Sequence, residues 1–271
     1  MKYNRTPNNI VEKFRQGKPA FGMQMYLPST ELYELVGANE FDFVMLDMEH
    51  TRINYETMVN LIRAADLYQM SVFVRVPANE PKYIRYALES GARGVVVPHI
   101  KNAEDVRKAK AALFFPPEGH AGVCPAVRAA GYYKGNWEEY MRDNNANTSL
   151  VVLFEDVEAV ENCDEILAEL KPGRDGFGMG LADLAHSLRQ NTPIDEPLDW
   201  HPPYNQKAVE TVIPKGKALG LFNMAMAWPE SNKEGIKNVI NNGANAIMFY
   251  PDQELLIRMF QAIKKDCEEF R

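Results

Sequence analysis

One pattern restricts this chain more than any other: an alternation repeated eight times. A short apolar run rich in Val, Phe, Met and Leu ends in a polar residue, and an amphipathic helical stretch follows. The runs fall at 21–26, 41–49, 71–77, 94–100, 150–155, 175–180, 219–226 and 246–250. Helical periodicity marks a leading segment at 8–16, then 29–39, 54–69, 80–92, 102–115, 157–170, 181–190, 204–218, 228–243 and 251–270. Strands that alternate with helices are parallel and joined by crossovers. Eight such units in 271 residues have the size and count of an α/β (β/α)₈ TIM barrel. The expectation is one domain over 1–271, with a leading N-terminal helix and an extended C-terminal helix. An open doubly wound sheet is the rival, but it usually carries a Gly-rich turn after its first strand. The turn here, Met25-Tyr26-Leu27-Pro28-Ser29-Thr30, has no glycine.

Local signals agree with the helix boundaries. Val157, Val160, Cys163, Ile166, Leu167 and Leu170 form one apolar stripe. Leu255, Leu256, Met259, Phe260, Ile263, Cys267 and Phe270 form another. Asn102 with Asp105 reads as an N-cap and its supporting acid, and Gly91, Gly173 and Gly243 fall at helix ends. The longest stretch read as irregular is 116–148, and a loop that long inside a barrel is usually functional.

Composition removes several classes of partner. Lys and Arg total 30 against 37 Asp and Glu, a net charge of −7, which disfavours nucleic acid or an anionic membrane. Three scattered cysteines make neither a disulfide framework nor a Cys/His metal site, and point to a reducing cytoplasm. The N-terminus carries no apolar stretch of the kind a secretory signal needs. No apolar run approaches the ~18 residues of a membrane span.

In such a barrel, chemistry sits at the C-terminal ends of the strands. Glu155 and Asp183 close strands five and six, which are neighbours about 4.8 Å apart. Two carboxylates without His or Cys make a hard-oxygen site suited to Mg²⁺ or Mn²⁺, although either acid alone could cap a helix. Arg75 lies on an apolar strand and must find an anion. That anion is either Asp47 or Glu49 in an internal salt bridge, or a substrate carboxylate or enolate oxygen. His50, with Asp47 three residues earlier, is a candidate general base oriented by an acid. It could instead cap the segment that begins at Thr51. None of the eight runs contains lysine, so a Schiff-base mechanism is disfavoured. The ends of strands seven and eight lack a Gly-rich phosphate cradle, which points to an unphosphorylated substrate.

The segments Asp47-x-Glu49-His50, Val74-Arg75-Val76-Pro77, Gly91-Ala92-Arg93-Gly94-Val95-Val96-Val97-Pro98 and Gly180-x-Ala182-Asp183-Leu184 occur in that order. Through them the chain resembles the metal-dependent class II pyruvate aldolases of the 4-hydroxy-2-oxoheptanedioate aldolase type, in the HpcH/HpaI aldolase/citrate lyase family. The resemblance implies that Glu155 and Asp183 bind a divalent metal, Mg²⁺ or Mn²⁺ with Co²⁺ as a further candidate. It implies that Arg75 contacts the keto or enolate oxygen of pyruvate and that His50 is the base, with Asp47 as its acidic partner. Glu89 stands where the family has a second supporting acid, usually Asp. Backbone amides of the turn Gly180, Leu181, Ala182 and Asp183 would hold the pyruvate carboxylate, a task a helix N-terminus does well. The implied partners are a small 2-oxo acid and an aldehyde. The implied assembly is a cytoplasmic homo-oligomer, a hexamer or trimer, with C-terminal helices packed across subunits.

Three departures alter the pocket walls while leaving the metal and base positions intact. Leu181 replaces a usual Pro, Leu153 a common Gln, and His120 stands in the run after Pro116-Pro117 where the family often has Arg. The expected reaction is reversible aldol cleavage of a 4-hydroxy-2-oxo acid to pyruvate and an aldehyde, through a pyruvate enolate at the metal. A synthase, decarboxylase or citrate-lyase-type reaction on oxaloacetate or another 2-oxo acid is the alternative in the same scaffold. A non-catalytic 2-oxo acid binder would have lost the base or the metal ligands, and both are present.

Overall fold

A computed structural model describes residues 5–189, 199–227, 230–268 and 270. Eight parallel strands close into a barrel in chain order. They are β1 (Ala20–Met25), β2 (Phe43–Asp47), β3 (Ser71–Arg75), β4 (Gly94–Val97), β5 (Ser149–Phe154), β6 (Gly176–Met179), β7 (Phe222–Met226) and β8 (Ala246–Phe249). The helices are α1 (Asn9–Arg15), α2 (Thr30–Ala38), α3 (Tyr55–Asp66), α4 (Pro81–Ser90), α5 (Ala103–Leu113) and α6 (Trp137–Asn147). They continue as α7 (Val157–Glu161), α8 (Cys163–Ala168), α9 (Leu181–Ser187), α10 (Pro203–Ala218), α11 (Lys233–Asn241) and α12 (Asp252–Glu268). The (β/α)₈ barrel is therefore the observed architecture, and the doubly wound sheet is not.

The barrel interior is packed by pairing large residues with none. Gly22 is the register partner of Phe43, Gly94 of Phe73, and Gly176 of Phe222. A Cβ at Gly94 would stand 2.1 Å from the Phe73 ring, and one at Gly176 2.3 Å from the Phe222 ring. The glycines thus make room for three rings in one narrow lumen, with Met45, Val96, Val151, Met224 and Met248 filling the rest. Helix α1 closes the N-terminal end. Ile10 and Val11 are buried in the same interior cluster, and Phe14 meets Phe222 edge-on with centroids 6.1 Å apart. Asn8 and Asn9 anchor this plug on Arg93, Ser149 and Ser71, at the starts of three strands. With one end stoppered, the C-terminal mouth is the open end.

Several expected boundaries shift. The stretch 116–148 is not irregular throughout: a 3-10 turn spans Arg128–Ala130, and α6 occupies the last third. Its cap Asn136 accepts from the Glu139 amide, but only Tyr140 and Asn144 are buried, a stripe too sparse to read as a helix beforehand. The expected helix 157–170 breaks at Asn162 into α7 and α8. The helix expected at 228–243 is α11; Trp228, Pro229 and the expected terminus Gln190 of 181–190 lie outside the described residues. The Asn102 cap holds as read: it accepts from the Asp105 amide at 3.0 Å, and Asp105 accepts from Lys101 N at 2.9 Å. The head of α12 meets the end of β1 through the buried Asp252, but its apolar stripe is left uncovered by its own barrel, with Phe260 61% and Ile263 52% exposed. Among the described residues no helix is long and apolar enough to cross a membrane.

Candidate active site

The residues expected to carry chemistry lie at the last rung of a strand ladder or in the turn just past it, at the mouth. The first of them are set by register. Asp47 and Arg75 are partners across β2 and β3. Arg75 Nε donates to Asp47 Oδ1 at 3.1 Å, and Nη2 donates to Oδ2, a two-pronged ion pair with Asp47 fully buried. Asp47 Oδ1 also accepts from the backbone amides of Glu49 at 2.8 Å and His50 at 3.3 Å. The internal salt bridge considered from sequence therefore exists. It corrects a second expectation, because the Asp47 carboxylate is filled by these donors and does not hold the His50 ring.

The acid beside that ring is Glu49. Its Oε2 lies 3.5 Å from His50 Nε2 and 3.3 Å from Arg75 Nη1, and its Oε1 lies 3.6 Å from His99 Nε2. Oε2 is buried and has no hydrogen-bond partner. Burial raises the Glu49 pKa against the opposing charges of Arg75, His50 and His99. The His50 side chain is half exposed. Tyr26, just past β1, accepts hydrogen bonds at its hydroxyl from Gln24 at 2.9 Å and Arg75 at 3.4 Å. Burial first, with Asp47 adding to it, pushes the phenol up to about 12, so it stays protonated. Asp252, at the head of α12, pins the Tyr26 and Leu27 amides at 2.9 Å each.

Across the mouth, Phe154 and Met179 are the last register partners of β5 and β6. The next step along each strand brings Glu155 beside Gly180. A Cβ on residue 180 would stand 2.3 Å from Glu155 Cγ and 2.5 Å from its Oε1, so the glycine is what admits the carboxylate. Gly180 is also the N-cap of α9, and Asp183 lies in that helix's first turn. Among the described residues the Asp183 side chain makes no hydrogen bond or ion pair, and no side chain caps α9. Although Glu155 closes a strand at the open mouth, it is only 2% exposed. Burial, then the neighbouring Glu49 charge, raise its pKa to about 7 against the His99 amide. Among the described residues no three His, Cys, Asp or Glu side chains form a metal cage by themselves. An open pair of carboxylates leaves the remaining positions to water and substrate, as Mg²⁺-type sites do.

Two further expectations change. Glu89 on α4 faces Arg85 of the same helix at 4.0 Å, and no hydrogen bond or ion pair joins it to His50. The Gly180 amide is committed to the Phe154 carbonyl at 3.0 Å, and Leu184 N bonds Gly180 O at 2.9 Å. The open donors of the turn are therefore those of Leu181, Ala182 and Asp183. Leu153, two residues below Glu155, points into the barrel interior. His120 sits at the far end of α5, its amide on Ala111 O at 2.8 Å. Sequence reasoning missed His99 and Asp156, which meet at 3.1 Å between the ring Nδ1 and Oδ2. A His directly after Val-Pro at the end of β4 is the signal that could have found them.

The sequence pattern of HpcH/HpaI aldolase/citrate lyase proteins matches residues 22–257. The chain belongs to that family. Its members here include 2-dehydro-3,6-dideoxy-6-sulfogluconate aldolase of Pseudomonas putida, 32% identical over 207 residues, which are 76% of this chain and 77% of the relative. 4-Hydroxy-2-oxo-heptane-1,7-dioate aldolase of Shigella sonnei is 29% identical over 261 residues, 94% of this chain and 93% of the relative. Among solved structures, citrate synthase SbnG aligns with a TM-score of 0.81 at 26% identity, covering 96% of this chain and 97% of that one. This family member is a carbon–carbon lyase.

Proposed function

We propose that this lyase cleaves a 4-hydroxy-2-oxo acid reversibly to pyruvate and an aldehyde, as one barrel unit in a cytoplasmic homo-oligomer. The observation that carries the reading is the placement of Glu155 against Gly180, at the head of the helix that bears Asp183, opposite Arg75, Glu49 and His50. The donor set fits a hard divalent ion: two carboxylates, one buried and raised in pKa, the other without a partner. Glu155 and Asp183 would hold Mg²⁺, Mn²⁺ or Co²⁺. Such an ion supplies a Lewis acid that acidifies the pyruvate methyl group and steadies developing negative charge.

The protein's own groups do the rest. The amides of Leu181, Ala182 and Asp183 receive the substrate carboxylate. Arg75, locked on Asp47 through Nε and Nη2, offers the keto oxygen its remaining nitrogen Nη1, which stands 3.3 Å from Glu49 Oε2. His50 accepts the proton of the distal hydroxyl as the C–C bond breaks, the same proton passes through water to the enolate carbon to give pyruvate, and both transfers run backward in the condensation direction. Glu49, rather than Asp47 or Glu89, steadies the charged imidazole. The likeness to citrate synthase SbnG supports a second reading, in which the same groups handle oxaloacetate. The test is pyruvate release from a panel of 4-hydroxy-2-oxo acids, with oxaloacetate alongside, before and after chelation and metal return. Metal-dependent exchange of pyruvate methyl protons in D₂O should accompany it. A borohydride-trapped pyruvate adduct on lysine, or turnover indifferent to chelation, would refute the reading.

A further inference from the structure

His99 is the one residue at the mouth, among the described residues, that combines a left-handed backbone with a side chain. Its φ is 51°, a conformation uncommon for residues with a side chain, though His enters it more readily than most. Two contacts surround it. The ring Nδ1 sits 3.1 Å from Asp156 Oδ2, and Lys101 Nζ flanks the other oxygen of that carboxylate at 3.3 Å. The backbone N–H of residue 99 has left the β4 ladder and donates to Glu155 Oε2 at 3.1 Å. Glu155 is thus held from both sides. Oε2 is occupied by the His99 amide, while Oε1 stands against Gly180, at the head of α9.

We propose that His99 is a positioning residue. Its ring, anchored on Asp156, maintains the left-handed turn that aims its amide at Glu155, so that Oε1 is presented toward Asp183 before any ion arrives. The inference rests on the reading of Glu155 as a metal ligand. Groups that orient a ligand in this way typically contribute about ten- to hundredfold in metal affinity.

The experiment is Mn²⁺ binding by calorimetry on the full-length protein, with thermal unfolding measured in parallel. His99→Val has no ring to anchor and resists positive φ, and it should bind Mn²⁺ about ten- to hundredfold more weakly. His99→Asn tolerates the left-handed turn and keeps a polar group facing Asp156, so it should recover most of the affinity. Asp156→Ala keeps His99 but removes its anchor, and should weaken binding as well. A merely structural role would lower the unfolding temperature of these variants and leave Mn²⁺ affinity unchanged. Unchanged affinity in His99→Val overturns the proposal; should that variant not fold, unchanged affinity in Asp156→Ala does so. Glu155→Ala separates the two layers of the argument. If it binds Mn²⁺ as the wild type does, or if the wild type binds none, the metal reading and this inference fall together. If Glu155→Ala loses binding while His99→Val and Asp156→Ala keep it, only the positioning role falls.

Discussion

Replacing Gly180 by alanine adds one methyl group at the head of α9, where backbone strain plays no part. With φ −91° and ψ 77°, residue 180 is outside the left-handed region, and alanine can adopt its conformation. The cost comes from one neighbour. The new Cβ would lie 2.3 Å from Glu155 Cγ, 2.5 Å from Oε1 and 2.8 Å from Cδ. Relaxed carbon contacts are about 3.5–4.0 Å, so the carboxylate must withdraw by roughly 1 Å. It has little freedom to do so, because it is 2% exposed and its other oxygen is held by the His99 amide. Overpacking of this kind costs about 1–3 kcal/mol, offset in part by the ~0.4–1 kcal/mol that Gly→Ala gains through the unfolded state. The thermal midpoint should fall by only a few degrees, at roughly 2–4 °C per kcal/mol for a chain of this size. Function should suffer more, since a displacement of ~1 Å in a reacting group can cost about 10²-fold. The assay is Mn²⁺ calorimetry with pyruvate-releasing turnover, using Gly122→Ala as control, where the nearest atom, Arg85 Cδ, is 3.9 Å from the new Cβ. Wild-type Mn²⁺ affinity and turnover in Gly180→Ala would show that Glu155 is not held as a ligand against this glycine.

Four further outcomes are expected. His50→Ala should lower cleavage by roughly 10²–10⁴ with Mn²⁺ affinity intact, and near-native cleavage with an unshifted pH–rate profile would remove His50 from the mechanism. Arg75→Met should destabilise by about 3–5 kcal/mol in urea titration, because it strands the buried Asp47 charge; a variant with Asp47→Asn added should recover much of that loss. For Asp143, burial disfavours the charge, but Arg93 and Arg5 outweigh it and lower the pKa. A depressed carboxylate stabilises fully above its unfolded value of about 3.9 and loses that contribution as pH falls through the folded value, so the stability gap between wild type and Asp143→Asn should close on acidification; a gap constant down to acid pH would contradict the pairing. The exposed stripe of α12 should be covered by a second copy of the chain, so Phe260→Asp with Ile263→Asp should reduce the mass measured by light scattering, whereas a monomeric wild type would refute the assembly.

Much of this site was legible because its geometry follows from register. With the observed register of β2 on β3, Asp47 and Arg75 face each other, and with that of β5 on β6, Glu155 meets residue 180. What could not be read was the allocation of partners. Asp47 precedes His50 by three residues, which suggested an acid–imidazole pair, yet the buried guanidinium and two backbone amides claim its oxygens first. A buried cation has the greater need of a counter-ion, and the half-exposed imidazole turns to Glu49 instead. Glu89 was placed by likeness alone, and the fold puts it beside Arg85.

By itself the sequence determined the elements that depend on near neighbours along the chain. The eight alternations, the Asn102 cap with Asp105, and the left-handed helix ends at Gly91 and Gly243 follow from periodicity and backbone sterics over a few residues, whereas Gly173, also expected at a helix end, is left-handed in a turn beyond the Glu169 cap of α8. Only the tertiary structure decided which face of a periodic segment is covered. The stripes of α8 and α12 look alike as strings. Ile166 and Leu167 are buried, while Phe260 and Ile263 stand exposed, because a helix's apolar period states that one side avoids water and not what will cover it. The His99 turn belongs to the same class. Its ring meets Asp156 and its amide Glu155, just past a strand more than fifty residues away, and no local rule acts over that distance.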